Sequence, residues 1–498
     1  MNDATGTYAA VDLGASSGRV VVGRLAAGRL STTDVARFAN EPVRVPAGGR
    51  STLHWDVLAL WRGALDGLRV AGREHGPVRS VGIDTWAVDH GLLDADGVLL
   101  GNPVHYRDER TIGVPSRLFA HLPESELYAT TGVQLQPFNT VFQLGAAAGT
   151  AQLAAARRLL MLPDLLGSWL SGVEVTEMTN ASTTALLDVT SRTWSARVLA
   201  ALAAATGAEV AGLLAPLVEP GTVLGPLRPG FAAELGLAAT ELVAVGSHDT
   251  ASAVAAVPME PSRAAYISSG TWSLVGVELD APVLTEASRA ANFTNELGVD
   301  GTVRYLRNVA GLWLLSESMR TWVDEGRPQD LAELVAAAAD VPSLACVIDV
   351  DDPALIPPGD MPARIAAAAR RAGRRPPADP ASTVRCILDS LALAYRRAVR
   401  QAAVLSDREI SVVHVVGGGS RNGLLCRLTA DATGLPVVAG PAECTAIGNL
   451  LVQAWAGGAL VGGLPAIREV VVASSELTRW EPTGSEAAWD AAERTLWP

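Results

Sequence analysis

Apolar residues run from Tyr8 to Leu13 with a single interruption at Asp12, turn through Gly14-Ala15-Ser16-Ser17-Gly18, and resume as Arg19-Val20-Val21-Val22-Gly23. Short apolar runs bounded by small residues predict two strands joined by a turn. The same grammar returns at Ala265-Tyr266-Ile267, turns through Ser268-Ser269-Gly270-Thr271 and resumes from Trp272 to Val277. Its recurrence predicts two similar domains, with a boundary near residue 245. Val78 to Ile83 predicts a further strand. Gly91 to Leu93 and Val98 to Leu100 predict a hairpin around Asp94-Ala95-Asp96-Gly97, because Asp-Gly tolerates positive φ. The first half is therefore expected to carry a mixed sheet. Ala- and Leu-rich stretches near 143–171, 195–213 and 383–405 predict helices. In the last of them Val384, Ile387, Leu388, Leu391 and Tyr395 share one face and predict core packing. Pro- and Gly-rich segments at 219–230 and 356–380 predict loops or linkers. Ile410 to Val416, the run Gly417-Gly418-Gly419-Ser420, a helix from Arg421 to Thr433 and a strand from Leu435 to Ala439 predict a β-Gly-α-β unit. Such a unit sets ligand phosphates or sugar against free N–H groups at the helix start.

Composition narrows the chemistry mainly by exclusion. At 498 residues the chain is long enough for two large domains, and 49% hydrophobic against 18% charged residues is a globular balance. The net charge of −13 repels nucleic acid and anionic membrane surfaces. All 39 basic residues are Arg. Without Lys there is no P-loop, no protein-kinase strand Lys and no Schiff-base Lys for pyridoxal. Cys346, Cys386, Cys426 and Cys444 show no Cys-x-x-Cys spacing and are expected to be free buried thiols, and the seven His residues are dispersed, so zinc has no motif. The amino terminus carries Asp3 and no basic leader, and no apolar run reaches the roughly 20 residues of a membrane span. A cytoplasmic protein is expected.

Three constellations carry candidate chemistry. Asp12, Gly14, Ser16, Ser17, Gly18 and Arg19 place backbone N–H groups and two hydroxyls around one turn, an anion cradle in which Asp12 suits a hydrated divalent cation and Arg19 a phosphate oxygen. With Ser268 to Thr271 as a second cradle and Gly417 to Ser420 as a nucleoside turn, they point to ATP held in a cleft between two similar domains. In Val245-Gly246-Ser247-His248-Asp249-Thr250, Asp249 is either the cap of a following helix or a general base for a hydroxyl attacking the γ-phosphoryl group, with His248 and Thr250 orienting the alcohol. Asp84 to His90, Asn102 to Asp108 and Arg307-Asn308 mix carboxylates, amides and an indole, which suits a polyhydroxyl ligand.

Together, Asp12-x-Gly14-x-Ser16-x-x-Arg19, Gly246 to Thr250, Ser268 to Trp272 and Val416 to Asn422 resemble the FGGY family of carbohydrate kinases. Within it, Gly82 to Asp89, Gly101 to Asp108, Gln136 to Thr140 and Arg307 to Trp313 resemble the branch that acts on L-rhamnulose. The match runs from about residue 8 to 457, and the Arg-Glu pair of a glycerol kinase and the Gln-Met-His run of a xylulokinase are both missing around Thr85 to Asp89. The resemblance implies an α/β fold of two actin-like (ribonuclease H-like) domains, with mixed sheets flanked by helices and a cleft between them. It implies a mainly sugar-binding domain at 1–244 and a mainly ATP-binding domain at 245–498. It implies Mg²⁺-assisted transfer from ATP to the C1 hydroxyl of L-rhamnulose, with a small-molecule ketose and ATP as partners. By matching position, Asp249 is the implied proton acceptor, and Ala87, His248, Asp249, Thr250 and Asn308 contact the ketose. Ala15, Ser16, Ser17, Gly18, Arg19, Thr271, Ser316 and Gly418 meet the nucleotide, and Asp12 reaches the metal through water. Two positions depart from the family pattern: Ala87 stands where Gly is usual and Ser316 where Gln is common. A kinase for L-fuculose, a dinucleotide oxidoreductase and an ATP-driven switch or sugar sensor are the competing readings. The second lacks G-x-G-x-x-G spacing after Val416.

Overall fold

The strand Gly6–Leu13 has its last six residues buried, as a near-continuous apolar run requires when both faces of a sheet are covered. It pairs antiparallel with Ser17–Ala26 and parallel with Ser80–Thr85. The computed structural model describes residues 5–47, 49–484 and 486–497; Asp3 lies outside them. The first sheet runs Arg29–Ala39, Ser17–Ala26, Gly6–Leu13, Ser80–Thr85, Glu241–Ala244, Thr222–Pro226, six strands of mixed sense. A second sheet repeats the plan. Ala264–Ser269 pairs antiparallel with Trp272–Leu279 and parallel with Val412–Val416, which is followed by parallel Val437–Ala439 and antiparallel Thr478–Trp480. Hairpin, two parallel strands, then an antiparallel strand recur in the same spatial order, and the recurrent grammar of the sequence is the trace of that repetition.

The α/β class with mixed sheets and flanking helices is as expected. The chain gathers into two compact units, neither of them one continuous stretch. The first takes the residues up to Pro258 with Leu279–Tyr305 and Cys444–Ser474, and the second takes Met259–Glu278, Leu306–Glu443 and Ser475 onward. In the first unit the core packs Val11, Leu13, Val20 and Ile83 of the sheet against Leu60, Ala64 and Leu68 of helix Val57–His75. In the second, helix Pro380–Ser406 carries a capping box on Asp379 and buries the predicted stripe of Val384, Ile387, Leu388, Leu391 and Tyr395.

Three local expectations need correction. The stretch 143–171 is not one helix. Gly149, at φ +75°, ends the first segment, Thr150 caps a short second one, and Arg158–Met161 is a strand before helix Leu162–Ser171. The hairpin around Asp94 forms as expected, with Asp94 N–H donating to the Val98 carbonyl at 3.0 Å, Leu100 N–H to the Leu92 carbonyl at 2.8 Å and Leu93 bridging Leu99 antiparallel, and His90–Leu93 pairs in addition with Arg158–Met161. Segment 219–230 contributes the edge strand Thr222–Pro226, the location in a sheet that tolerates Pro. Segment 356–380 contains helix Met361–Arg371, capped by Asp360 with Pro362 in its first turn. All four cysteines are buried free thiols. Among the described residues no helix is long and apolar enough to cross a membrane.

Candidate active site

The hairpin register sets Asp12 opposite Arg19, and the parallel register sets it beside Asp84. Arg19 donates from Nη2 and Nε to Asp12 Oδ2 at 2.6 and 2.9 Å, so the guanidinium expected to meet phosphate also holds the carboxylate of its own hairpin. The small-residue turn closes through Gly14 N–H to the Ser17 carbonyl at 2.9 Å, and Asn40 braces it by donating to the Gly14 carbonyl at 2.8 Å. Asp84 is fully buried and accepts from Asn449 Nδ2 at 2.5 Å, while its Oδ1 is buried without a hydrogen-bond partner. Burial, and then the neighbouring charge of Asp12, pushes the Asp84 carboxyl well above the ordinary carboxylate range.

Asp249 opens the helix Asp249–Ala255, yet it is not the cap. His248 occupies the cap position without a side-chain capping bond, and the Asp249 carboxylate accepts from Thr250 Oγ1 at 3.1 Å. The capping alternative is thereby removed, and the carboxylate, 28% exposed, is left for other work. Desolvation raises its pKa; His248 and the Thr250 hydroxyl pull against that rise, while Asp12 adds to it. The turn before the helix is tied down by Glu177, which accepts from Ser247 N–H at 3.0 Å and Ser247 Oγ at 2.7 Å. Thr85 N–H donates to the Ser247 carbonyl at 2.9 Å, which joins the end of strand Ser80–Thr85 to the same turn. His248 lies 3.5 Å from Asp249 through Nε2 and 3.2 Å from Glu296 through Nδ1.

Ala87 follows strand Ser80–Thr85 in a loop whose positive φ falls on Val88, at +66°, so Ala87 itself needs no glycine-like backbone. The loop is organised by Asp89. Its Oδ2 accepts from Trp55 Nε1 at 2.6 Å, Trp86 Nε1 at 3.0 Å and Tyr106 N–H at 3.2 Å, and its Oδ1 from Gln143 Nε2 at 2.9 Å. Burial lifts Asp89 to about 6. His105 stacks on Trp55 with ring centroids 3.9 Å apart. Much of the polar cluster from 84 to 108 is thus internal scaffolding rather than free ligand-binding surface.

In the second unit, Thr271 sits in the turn between Ala264–Ser269 and Trp272–Leu279. Leu312 N–H donates to the Gly270 carbonyl at 2.9 Å and Trp313 N–H to the Thr271 carbonyl at 3.2 Å, which brings helix Trp313–Asp324, with the exposed Ser316, against that turn. A Cβ on Gly311 would sit 2.7 Å from both carbonyl oxygens, so only glycine lets the segments approach this closely. A Cβ on Gly417, at φ +79°, would meet the Ser269 carbonyl oxygen at 2.8 Å and one on Gly419 the Ser269 side chain, whereas Gly418 faces open space. The Thr271 turn thus packs against the start of the helix that carries Ser316, and the neighbouring Ser269 packs against the turn that carries Gly418. Asn308 lies beside Arg307 on Val303–Ala310, and Arg307 pairs with Asp351 at 3.1 Å.

Domain models for the FGGY family of carbohydrate kinases match residues 7–256 (N-terminal domain) and 265–457 (C-terminal domain). The chain belongs to that family. This FGGY kinase is 42% identical to the rhamnulokinase of Bacteroides thetaiotaomicron over 97% of both chains. It is 38% identical to that of Bacillus subtilis over 90% of this chain and 89% of the other. Its fold superposes on a gluconate kinase from Lactobacillus acidophilus with a TM-score of 0.78, at 13% identity over 99% of this chain and 96% of the other. A ligand-bound xylulose kinase from the same organism gives 0.77, at 13% identity and the same coverage. The FGGY kinase is accordingly a carbohydrate kinase that phosphorylates a sugar with ATP on the two-domain actin-like fold.

Sequence reading missed Asn449, Glu177, Glu296, Arg304 and Gln143. A Cβ on Gly448 would lie 1.8 Å from the Ser252 carbonyl oxygen, so helices Asp249–Ala255 and Cys444–Ala456 meet at backbone contact. A Gly next to Asn inside an apolar helical pattern was the available signal for Asn449.

Proposed function

We propose that the enzyme transfers the γ-phosphoryl group of ATP to the C1 hydroxyl of L-rhamnulose, giving L-rhamnulose 1-phosphate and ADP, in the cytoplasm. The observation that carries this reading is the placement of Asp249: a partly exposed carboxylate at a helix start, unused for capping, beside Asp12, Asp84 and His248. The name shared by the full-length relatives supports the choice of ketose.

In this reading Asp249 accepts the C1 hydroxyl proton as the oxygen attacks phosphorus. Its desolvation raises the basicity available for that task. His248, Thr250, Asn308 and the backbone at Ala87 orient the ketose, chiefly held by residues before 245. The turns at Ala15–Arg19, Thr271, Ser316 and Gly418 receive the nucleotide, and backbone N–H groups of the small-residue turn stabilise charge on the transferring group. Arg19 acts by holding Asp12. An all-oxygen donor set suits a hard divalent cation, and the buried, unpartnered Oδ1 of Asp84 beside Asp12 fits one held through water. Bound Mg²⁺ would neutralise phosphate charge.

The test is ADP release from Mg-ATP with L-rhamnulose, L-fuculose, D-xylulose, L-ribulose and glycerol offered separately. Strong preference for L-rhamnulose is expected. Preference for another ketose would retain the base and relocate the error to the pocket beside Ala87. Stimulation by no sugar would refute the reading. Asp249→Asn is expected to bind ATP normally and lose turnover by roughly 10²-fold or more.

A further inference from the structure

Two of the four cysteines lie side by side in the second unit. Cys386 stands on helix Pro380–Ser406, and its S–H donates to Cys346 Sγ at 3.3 Å across 40 positions of chain. Backbone contacts pin the segment on both sides of Cys346. Leu344 N–H donates to Asp389 Oδ2 at 2.6 Å, and Ile348 N–H donates to Ser390 Oγ at 3.0 Å. Asp389 and Ser390 follow Cys386 by three and four positions, so both acceptors share its face of the helix. Arg385 reinforces the clamp, pairing through Nε with Asp389 at 2.9 Å and donating from Nη1 to the Val341 carbonyl at 2.7 Å. Leu344 is held at φ +57°, a left-handed value uncommon outside glycine. The approach of the two sulfurs is therefore fixed by the fold around them.

The sulfurs are not equivalent. The S–H of Cys386 first, and the positive charge of Arg374 after it, hold the Cys346 thiol below its ordinary range against the burial that opposes them. Donating that bond, and then burial, pushes Cys386 well above its own. Cys346 is also the more exposed, at 8% against 2%. Leu344, Arg374 and Arg385, which flank the pair, line a cavity of about 790 Å³. A thiolate is the nucleophile in thiol oxidation, so attack belongs to Cys346. The other two cysteines differ. Burial lifts Cys426 and Cys444 to about 12, and the Cys426 sulfur rests against the carbonyls of Gly419 and Ser420.

We propose that Cys346 and Cys386 are a peroxide-responsive dithiol, with Cys346 the attacking and Cys386 the resolving thiol, closing reversibly to a disulfide that locks segment 344–348 onto helix Pro380–Ser406. The Cys346 thiolate attacks one oxygen of hydrogen peroxide; the O–O bond breaks, and hydroxide leaves and takes up the proton the thiol released, giving water and a sulfenic acid. The Cys386 thiolate then attacks Cys346 Sγ; the S–S bond forms, the S–O bond breaks, and the departing hydroxide takes the Cys386 proton as a second water. Two thiols and one peroxide give one disulfide and two waters, with two electrons passing from sulfur to oxygen. A small dithiol reverses the change. The inference does not depend on which sugar the enzyme phosphorylates.

The test treats the reduced, native, full-length protein with hydrogen peroxide, then unfolds it, alkylates it with iodoacetamide and maps its peptides by mass. A bridge between Cys346 and Cys386 is expected, released by dithiothreitol, with Cys426 and Cys444 alkylated. In Cys386→Ala the sulfenic acid on Cys346 should persist and be captured by dimedone, whereas Cys346→Ala should leave Cys386 a thiol. The bridge restricts the unfolded chain, so oxidised wild type should show a higher urea midpoint than reduced wild type, a difference lost in Cys386→Ala. Oxidation of Cys426 or Cys444 at the rate of the pair, a bridge joining any other two cysteines, a folded Cys386→Ala protein without a dimedone adduct at Cys346, or a midpoint unmoved by the bridge overturns the proposal. Should either variant fail to fold, the wild-type map and midpoint still decide it.

Discussion

At the scale of single residues the site is a balance of like charges. Asp12, Asp84 and Asp249 stand within electrostatic reach of one another with Arg19 among them, and two of the three are held above the ordinary carboxylate range, first by desolvation. In the proposed reading Asp249 works as a base only when ionised, so activity is lost as pH falls through its raised pKa. The acidic limb of kcat/KM should therefore lie above the usual carboxylate range. Thr250→Ala removes a hydrogen bond that lowers this pKa and should move the limb to still higher pH; a limb unmoved in that variant argues that another group sets it. The effect on stability has the matching sign. A raised native pKa contributes stability that is present below the unfolded value and lost as pH rises through the native one. For Asp89, lifted to about 6, folding stability should fall between pH 4 and 7, a slope that Asp89→Asn flattens in urea titrations. Asp12 and Arg19 were legible in the sequence because the hairpin that links them is short. The contact between Asp84 and Asn449, separated by 365 positions, was not, because no local pattern encodes it.

At the scale of elements, close approach explains what periodicity alone did not. Helices Asp249–Ala255 and Cys444–Ala456 pack so tightly at Gly448 that a methyl group there meets the Ser252 carbonyl. Gly448→Ala should cost about 1–3 kcal/mol, read as a lower urea midpoint at unchanged slope, because one of the helices must move. The same shift displaces Asn449 from Asp84, so the loss of activity should exceed what the loss of folded protein explains. Long elements with regular spacing, such as Pro380–Ser406, were readable in full. Arg158–Met161 was not, because an Arg and three apolar residues between helical stretches carry no period of their own. The helix Met361–Arg371 was hidden by the Pro and Gly residues around it, although Asp360 and Pro362 are ordinary start signals.

At the scale of the molecule, distant parts of the chain hold each other. Arg396, with no exposed surface, points from helix Pro380–Ser406 to Asp490 and to Glu493, the latter at 2.9 Å, on the terminal helix Glu486–Leu496. Removing that helix leaves a buried guanidinium unpaired and should cost roughly 3–5 kcal/mol. Arg396→Met in the shortened chain should recover part of the loss in a double-mutant cycle, whereas additive effects would show that the ion pairs do not hold the helix. The repeated sheet plan was visible in the sequence as a repeated strand-turn-strand grammar. The weaving of three chain segments into the first unit was not, since composition does not mark a return.

That weaving imposes an order in time. Cys444–Ser474, which carries Asn449, leaves a ribosome only after the whole of Leu306–Glu443 has been made. Until it arrives, Asp84 lacks its amide donor and the helix that starts at Asp249 lacks its backbone-close neighbour. An emerging chain therefore holds every residue of the acidic cluster long before it can assemble them.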